Sequence, residues 1–424
     1  MSHTAISLDL GPLSVARVKS DALLALATGT VVAAVMMLPL IKPQGPGNLG
    51  PVDPMILAGI VTVLLWAATQ NRVLQVPYAI AMGLSLVAGA LGALNGPVPE
   101  LGAVALLQDL VLLIWCAAIV TLAQESNALR TLVRAWAGAS ILWAVLLLVS
   151  VSLGLTAISG QTVANGSRAA LTFGDPNVAA NYFCLSIMIV WASRWPRNVF
   201  LRWTGYFLLF LALVLTGSNG GVVATATAVA VASIAAAARR HGIMGAIAAT
   251  MSFILLGAAC WQFVDPSAIE NYARSSNIQI VRDGIGRGSS SASGRGFLLR
   301  ETTSLYVDAG ILGRGPLSTK VVLAKEQAPE IKEAHNDYAA AIVERGVLGA
   351  LAVLLLIGSL LVRGLSAGIA KLADNVEVAV PRPAALIGAV QGCLIAGMFY
   401  EVLHFRHVWA AFAIVAATYL GVKR

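Results

Sequence analysis

The chain has 424 residues, of which 58% are hydrophobic and 11% are charged, and its formal net charge is +8. Side chains this apolar cannot cover a water-soluble globule, and the apolar runs, about 15 to 25 residues long, match helices that cross a bilayer rather than the strands of a β-barrel. Lys and Arg mostly flank those runs, so the charge indicates membrane orientation and not nucleic-acid binding.

Twelve membrane-spanning helices are predicted, in an all-α integral membrane protein with a single polytopic domain, residues 1–424. No cleaved signal peptide is expected at the N-terminus, so the first span would direct insertion. The connections are short except for a segment of 73 residues, 264–336, between the ninth and tenth spans. The predicted spans are residues 21–41, 55–69, 76–94, 103–123, 135–157, 179–193, 201–216, 221–238, 243–263, 338–362, 384–402 and 407–421.

The distribution of Lys and Arg predicts which side of the membrane each loop faces. With a cytoplasmic N-terminus, fifteen of them flank the spans on that side, and the short loops of the other side hold only Lys42, Arg168 and Arg406. Both termini are therefore predicted to be cytoplasmic and segment 264–336 to be extracytoplasmic. A reaction on that face has no access to ATP or sugar nucleotides, so its substrate must arrive activated and already flipped across the membrane.

Segment 264–336 has three predicted parts. Residues 282–296 (RDGIGRGSSSASGRG) are rich in Gly and Ser and are predicted to be flexible. Residues 297–308 place Phe297, Leu298, Leu305 and Tyr306 at the spacing of an amphipathic helix, which we expect along the outer interface. Residues 311–316 (ILGRGP) are predicted to form a turn.

His335 is the first candidate for chemistry, because it stands at the entrance of the tenth span in the sequence AHNDY. Histidine is the commonest general base near neutral pH. The alternative is an interfacial histidine that only binds a helix end. Asn336 and Asp337 are predicted to lie at the same site, and Asn336 is also of the type that caps a helix N-terminus.

Charges within the predicted spans need partners, because an isolated charge at the centre of a spanning helix costs about 2.5 to 3.5 kcal/mol. Glu344 and Arg345 lie in the tenth span and Asp109 lies in the fourth. We expect Asp109 to pair with Arg345. The alternative is that Glu344 and Arg345 satisfy each other or extend to the interface.

Arginines and polar loops of the predicted outer face complete the candidate site. Arg295 and Arg300 lie in the long segment, where a guanidinium group could stabilise a diphosphate; the alternative is a solvated arginine paired with a nearby Glu. Three short loops, residues 168–177, 216–221 and 399–409, are predicted to lie on the same side as His335. No metal or other cofactor is predicted, because His404 and His407 lack an acidic cluster of suitable spacing.

Several of these motifs together resemble the O-antigen ligase and O-antigen polymerase superfamily. They are AHNDY followed by ERGVLG, a preceding outer segment with SGR, and a late FRHVW. The resemblance implies a GT-C-like fold and a metal-independent glycosyltransferase of the bacterial cytoplasmic membrane. Its partners would be a glycan donor carried on undecaprenyl diphosphate, a lipid or glycan acceptor, and membrane lipid.

The resemblance also implies roles for individual residues. His335 matches the family histidine that is proposed to activate the acceptor hydroxyl, Arg295 matches the arginine that is proposed to hold the diphosphate, and Arg406 matches the arginine of the late motif. The chain departs from the family at residues 218–220, where SNG replaces the common SRG. Asn219 therefore brings no charge, and Arg168 or Arg406 is a candidate to supply it.

The leading hypothesis is an inverting glycosyltransferase, more specifically an O-antigen ligase that acts on lipid A core or another surface acceptor. A polymerase that joins lipid-linked repeat units is the first alternative. A transporter of lipid-linked glycan is the second, although the chain has no evident internal repeat and its polar groups concentrate at one face.

Overall fold

The computed structural model describes residues 12–42, 49–163, 165–325 and 334–423, and its regular elements there are helices apart from one isolated bridge between Leu372 and Val422. The helices are α1 (Pro12–Met36), α2 (Asp53–Thr69), α3 (Ala79–Asn95), α4 (Pro99–Leu122), α5 (Ser126–Ser152), α6 (Thr156–Ser159), α7 (Pro176–Ser193), α8 (Val199–Leu215), α9 (Asn219–Phe263), α10 (Pro266–Ser275), α11 (Gln279–Gly284), α12 (Gly288–Ala309), α13 (Thr319–Lys325), α14 (Asp337–Ile369), α15 (Asp374–Ala379), α16 (Ala384–Ala396) and α17 (Arg406–Leu420).

The predicted all-α class is confirmed, and several helices have the length and composition of membrane spans. Within the part that the structure describes, α4, α5, α9 and α14 are long and apolar enough to cross a bilayer. Five shorter apolar helices accompany them: residues 21–36 of α1, and α2, α3, α8 and α16. Each of the predicted spans overlaps a helix, and two of them share α9. The chain is therefore a multi-pass helical membrane protein.

Two of the long helices are broken by a single glycine. Gly242 in α9 has φ 65° and ψ −155°, and Gly346 in α14 has φ 63° and ψ −158°. Positive φ with ψ beyond ±150° is open to glycine and almost closed to other residues, which it costs about 1 to 3 kcal/mol. The first break separates the predicted spans 221–238 and 243–263. The second was not predicted, and it leaves Asp337–Arg345 as a short helix of its own.

The helices pack through small residues and a few large buried rings. The side chains of Trp115, Trp136 and Trp409 are fully buried. A Cβ atom at Gly388 of α16 would lie 2.8 Å from Cβ of Ala232 in α9, so the missing side chain lets these two helices approach closely. The core therefore runs between α16, α9 and α7, and it holds the site-bearing ends of these helices in fixed positions.

The long segment is more helical than expected, and the prediction of flexibility for residues 282–296 is wrong. Helix α12 begins at Gly288 and extends through the predicted amphipathic stretch. Glu270 of α10 explains the early start, because its carboxylate accepts hydrogen bonds from the backbone N–H and the hydroxyl of Ser289. Leu298 and Leu305 are buried against Val343 as the pattern predicts, whereas Phe297 is 40% exposed and the side chain of Tyr306 lies outside the described part.

The eleventh predicted span, residues 384–402, is also corrected. Its helix, α16, ends at Ala396, and residues 397–405 form a connection, here called the late loop, that leads into α17. The backbone of the late loop is bound by a side chain from another helix, which the sequence pattern alone does not reveal. This loop lies at the centre of the candidate site.

Candidate functional site

The N-terminus of α14 presents three predicted site residues in a row. Asn336 caps the helix, since its side-chain oxygen accepts hydrogen bonds from the backbone N–H groups of Tyr338 (2.9 Å) and Ala339 (3.0 Å). Its amide nitrogen donates to the carbonyl oxygen of Met398 at 3.1 Å. The predicted capping role of Asn336 is therefore confirmed, and the same side chain joins α14 to the late loop.

Asp337 fixes the conformation of the late loop. Its carboxylate accepts hydrogen bonds from the backbone N–H groups of Val402 (3.0 Å) and Leu403 (3.2 Å), and its own N–H donates to the carbonyl of Gly397 (2.9 Å). The residue is 8% exposed. Both carboxylate oxygens thus serve the loop backbone, which keeps the groups that face His335 in place.

His335 lies against this fixed loop. Its backbone is left-handed, with φ 49°, and its N–H donates to the Glu401 carboxylate at 3.1 Å. Its ring centroid lies 5.1 Å from that of Tyr400. A positive φ is uncommon outside glycine, although Asn, Asp and His adopt it more often than other residues, and here the hydrogen bond to Glu401 holds it. The imidazole is half-buried, so it is both positioned and accessible.

Arg406 and His407 begin α17 and are held in different ways. Arg406 forms a two-pronged ion pair with Asp53 at the start of α2, with two N–O distances of 2.6 Å. His407 is 1% exposed, and its Nε2 lies 2.9 Å from the side-chain oxygen of Asn181. His404 is exposed, so the two histidines lie in different environments. The described part of the chain contains no group of three His, Cys, Asp or Glu that could hold a metal.

The turn between α8 and α9 brings Arg168 and Asn219 into one place. Arg168 Nε donates to the carbonyl of Thr216 at 3.0 Å. Asn177 accepts from the hydroxyl of Ser218 at 2.8 Å, and Ser218 caps α9 through the N–H of Gly221 at 3.1 Å. A guanidinium group is therefore anchored within the turn that carries Asn219.

The first part of the long segment closes over this turn. The Asp283 carboxylate accepts hydrogen bonds from the hydroxyl (2.7 Å) and N–H (3.1 Å) of Ser167, and these bonds hold the pKa of Asp283 below its usual value. A Cβ atom at Gly288 would lie 3.9 Å from Nδ2 of Asn219. Helix α12 thus starts beside the α8–α9 turn.

Helix α12 runs from that turn to α14. Leu298 and Leu305 pack in one cluster with Val343. Arg295 lies between these two ends, two turns after Gly288, and its side chain falls outside the described part. Arg300 lies in the same helix and is exposed.

The three predicted outer loops meet as expected. Arg168 contacts Thr216, and Gly220 lies against Phe399, since a Cβ at Gly220 would lie 3.0 Å from its ring. His335 joins the same assembly through Glu401. Residues from five distant segments therefore form one polar region at one end of the helices.

Below this region lies the charge pair that the sequence predicts. Arg345 Nη2 and Asp109 Oδ2 are 2.6 Å apart, which confirms the expected pair, and Arg345 also donates to Ser85. Glu344 is satisfied separately, by the N–H of Leu317 (3.0 Å) and the hydroxyl of Thr319 (2.8 Å). The alternative, in which Glu344 and Arg345 satisfy each other, is not what the structure has.

Two cavities adjoin the late loop on the membrane side. A cavity of about 100 Å³ is lined by Asp109, Arg345 and Glu401 among others, and a second of about 250 Å³ lies between α2 and α4. His404 lines both of them. The second is mostly apolar, with the Asp53–Arg406 ion pair at its polar end.

Sequence reasoning missed two residues of this region. Asp53 holds Arg406, and the Tyr400 ring lies against that of His335, whereas Glu401, which also contacts His335, belongs to the predicted loop 399–409. For Asp53, the available signal was an acid directly before a predicted span on the same face as Arg406. For Tyr400 the signal was weak, because this residue lies where the predicted span 384–402 overlaps the predicted loop 399–409.

The comparisons with known proteins agree with the motifs. A family model described as O-antigen ligase matches residues 204–354. The match includes Asn219, Arg295, Arg300 and His335, and it excludes Arg168 and Arg406. No curated protein matches the chain. The chain therefore carries an O-antigen ligase domain at residues 204–354, and the resemblance seen in the sequence is confirmed there.

Proposed function

We propose that this protein is an inverting, metal-independent glycosyltransferase of the bacterial cytoplasmic membrane. It transfers a glycan from undecaprenyl diphosphate to an acceptor hydroxyl at the outer face, as an O-antigen ligase that uses lipid A core or another surface acceptor. The observation that carries the proposal is the convergence of His335, Arg168, Asn219 and the late loop in a chain with an O-antigen ligase domain. The count of Lys and Arg supports cytoplasmic termini and an outer site.

His335 would act as the general base. The acceptor oxygen bonds to the anomeric carbon while the bond from that carbon to the phosphate oxygen breaks, and undecaprenyl diphosphate leaves with the electron pair. The configuration at the anomeric carbon inverts, and the imidazole takes the hydroxyl proton. The hydrogen bond from the His335 backbone to Glu401 supports this role, since it fixes where the ring stands.

Arginines would stabilise the departing diphosphate in place of a metal ion. Arg295 is the main candidate, because α12 bridges the α8–α9 turn and α14. Arg168 is the better candidate than Arg406 to supply the charge missing at Asn219. It is anchored on Thr216, within that turn, whereas both prongs of Arg406 are bound to Asp53. Arg300, Asn336 and Asp337 remain proposed contributors to substrate binding.

The first test measures transfer by purified protein in liposomes that contain the lipid-linked glycan and the acceptor. His335→Ala should lower the rate by about 10² to 10⁴-fold, the usual contribution of a general base. Arg295→Ala should lower it by about 10² to 10³-fold if it stabilises the leaving group. His241→Ala, an exposed histidine in α9, is the matched control. Normal rates in both site variants would refute the proposal.

A second test addresses the missing arginine. Arg168→Ala should reduce transfer, and adding Asn219→Arg to that variant should restore it, because the two positions share one turn. Asn219→Gln added to Arg168→Ala is the control that restores no charge. Equal failure of the Arg and Gln double variants would show that Arg168 does not substitute for the family arginine.

The same liposomes distinguish ligase activity from polymerase activity. Transfer that strictly requires the separate acceptor supports a ligase. A ladder of glycan lengths formed without it would instead identify a polymerase. Both outcomes keep His335 as the base, so the test concerns the acceptor alone.

A further inference from the structure

Four arginines lie at the end of the helix bundle opposite the candidate site. Arg194 follows α7, Arg202 lies in the first turns of α8, Arg240 lies in α9, and Arg382 precedes α16. We call them the arginine cluster. The N-terminus of α7 and the C-termini of α8 and α16 lie at the candidate site, so their other ends carry this cluster.

No acid neutralises the cluster within the part of the chain that the structure describes. The acids nearby bind other cations: Glu125 binds Arg72, Glu377 binds Arg239, and Asp374 binds Lys423. Burial and the neighbouring charges of Arg194, Arg202 and Arg240 lower the pKa of Arg382. Arg194, Arg202 and Arg240 therefore each repel the guanidinium group of Arg382.

The connection between α7 and α8 holds the cluster in place. Arg202 is 8% exposed and donates to backbone carbonyls of this connection, with 3.0 Å to Pro196. The guanidinium of Arg134 lies over the Trp195 ring at 5.2 Å. The backbone N–H of Arg382 donates to the carbonyl of Ala192 at 3.0 Å. Arg194 is exposed, so the cluster is fixed but open on one side.

An aromatic surface begins at the same point. Phe200, Trp203, Phe207 and Phe210 are spaced by three, four and three residues on α8, and they are 76%, 67%, 63% and 52% exposed. This spacing puts them on one face of the helix. We call this face the aromatic stripe. The ring centroids of Trp203 and Tyr206 are 5.6 Å apart, and Tyr206 interacts with Arg382. Tyr206 therefore connects the aromatic stripe with the arginine cluster.

We propose that the arginine cluster binds the phosphate of an anionic phospholipid whose acyl chains lie along the aromatic stripe of α8. The negative charge of the phosphate relieves the repulsion on these guanidinium groups. Its two non-bridging oxygens can accept hydrogen bonds from the N–H groups of a planar guanidinium. The stripe continues for about 15 Å along the helix, which is within the length of an acyl chain.

Membrane orientation alone does not account for this arrangement. The excess of positive charge on one side requires only that arginines flank the spans, at any spacing. Here arginines from four segments lie together, with no acid of the described residues bound to them, beside a continuous aromatic face. Basic pockets between spanning helices are recognition sites for anionic lipid headgroups.

Native mass spectrometry of the full-length protein tests the proposal. After incubation with equimolar phosphatidylglycerol and phosphatidylcholine of the same chains, the protein should retain phosphatidylglycerol preferentially. Replacing Arg194 and Arg382 by Gln should reduce that retention about 5-fold each and about 25-fold together. Arg72→Gln removes the same charge from an ion pair on the same face and should leave retention unchanged.

Three results would overturn the proposal. They are equal retention of the two lipids, unchanged retention in the double Gln variant, and displacement of phosphatidylglycerol by millimolar inorganic phosphate, which would indicate a soluble anion instead. If the double Gln variant does not fold, Phe200→Ala with Phe207→Ala leaves the cluster intact. This variant should still retain less phosphatidylglycerol than the unaltered protein. Full retention would show that the aromatic stripe is not part of the lipid site.

Discussion

Helices α9 and α14 break at the same local sequence, a glycine followed by two apolar residues and a second glycine. In α9 it is residues 242–245 (GIMG), and in α14 it is residues 346–349 (GVLG). Both first glycines have φ near +64°, at 65° and 63°. The surroundings differ: a Cβ at Gly242 would meet nothing within 4 Å, whereas one at Gly346 would overlap the carbonyl of Ile311.

The break in α14 is occupied by the turn at residues 311–316. The N–H groups of Arg314 and Gly315 donate to the carbonyls of Val343 and Glu344, and the N–H of Val347 donates to the carbonyl of Ile311. The α9 break has no comparable partner among the described residues. The same local geometry thus serves as a simple bend in one helix and as a docking point for the long segment in the other.

The largest expected difference concerns the charged residues before each break. Arg345→Met should lower the free energy of unfolding by about 3 to 5 kcal/mol, because Asp109 is left charged and without its partner. His241→Ala, at the matching position of α9, should change it little, since His241 is exposed. Unfolding by SDS titration measures both.

Adding Asp109→Leu to Arg345→Met should recover much of that loss, because the unpaired acid is removed as well. No recovery in the double variant would mean that Arg345 stabilises the fold through contacts other than Asp109.

The next difference concerns the first glycines. Gly346→Ala should cost about 2 to 4 kcal/mol, since the backbone strain adds to the loss of hydrogen bonds with residues 311–315. Gly242→Ala should cost only the strain of about 1 to 3 kcal/mol. The two costs are compared in the same titration, and equal values would contradict a special role for the docked turn.

The second glycines should behave alike. A Cβ at Gly245 would lie 2.6 Å from the carbonyl oxygen of Ala237. A Cβ at Gly349 would overlap the carbonyl oxygen of Ala341, which likewise lies eight residues earlier in the chain. These contacts arise within each broken helix, so Gly245→Ala and Gly349→Ala should each cost about 1 to 3 kcal/mol. A cost at Gly349 alone would show that this break depends on its surroundings too.

The smallest effects are expected at the starts of the two helices. Ser218 caps α9 and Asn336 caps α14. Ser218→Ala and Asn336→Ala should each lower the free energy of unfolding by about 1 kcal/mol. Thermal unfolding in detergent, read by circular dichroism, measures both variants. A loss well above that value for Asn336→Ala would point to its second bond, to Met398.

The two breaks also show how far the sequence could lead. The break at Gly242 was foreseen because Arg239, Arg240 and His241 interrupt the apolar run. The break at Gly346 was not foreseen, although Glu344 and Arg345 precede it. Their charges have partners from α3, α4 and the turn before α13, and a pattern along one helix does not contain those partners.

The candidate site also has features that the sequence predicts and one that it does not. The place of His335 before a capped helix and the pairing of Asp109 with Arg345 could both be predicted, the first from local residue types and the second from the cost of an unpaired charge in a membrane. The conformation of the late loop could not be predicted, because it depends on hydrogen bonds from the loop's own backbone N–H groups to Asp337, which lies in α14.

The sequence by itself determined that the chain is helical and membrane-embedded, which of its segments form apolar helices, and which residues could carry chemistry. Apolar run length and local capping suffice for that. The tertiary structure decided which glycine break receives the long segment, that Arg168 rather than Arg406 stands at the turn with Asn219, and that four arginines meet at the far end. Each of these depends on contacts between segments far apart in the chain, for which neither hydropathy nor spacing carries a signal.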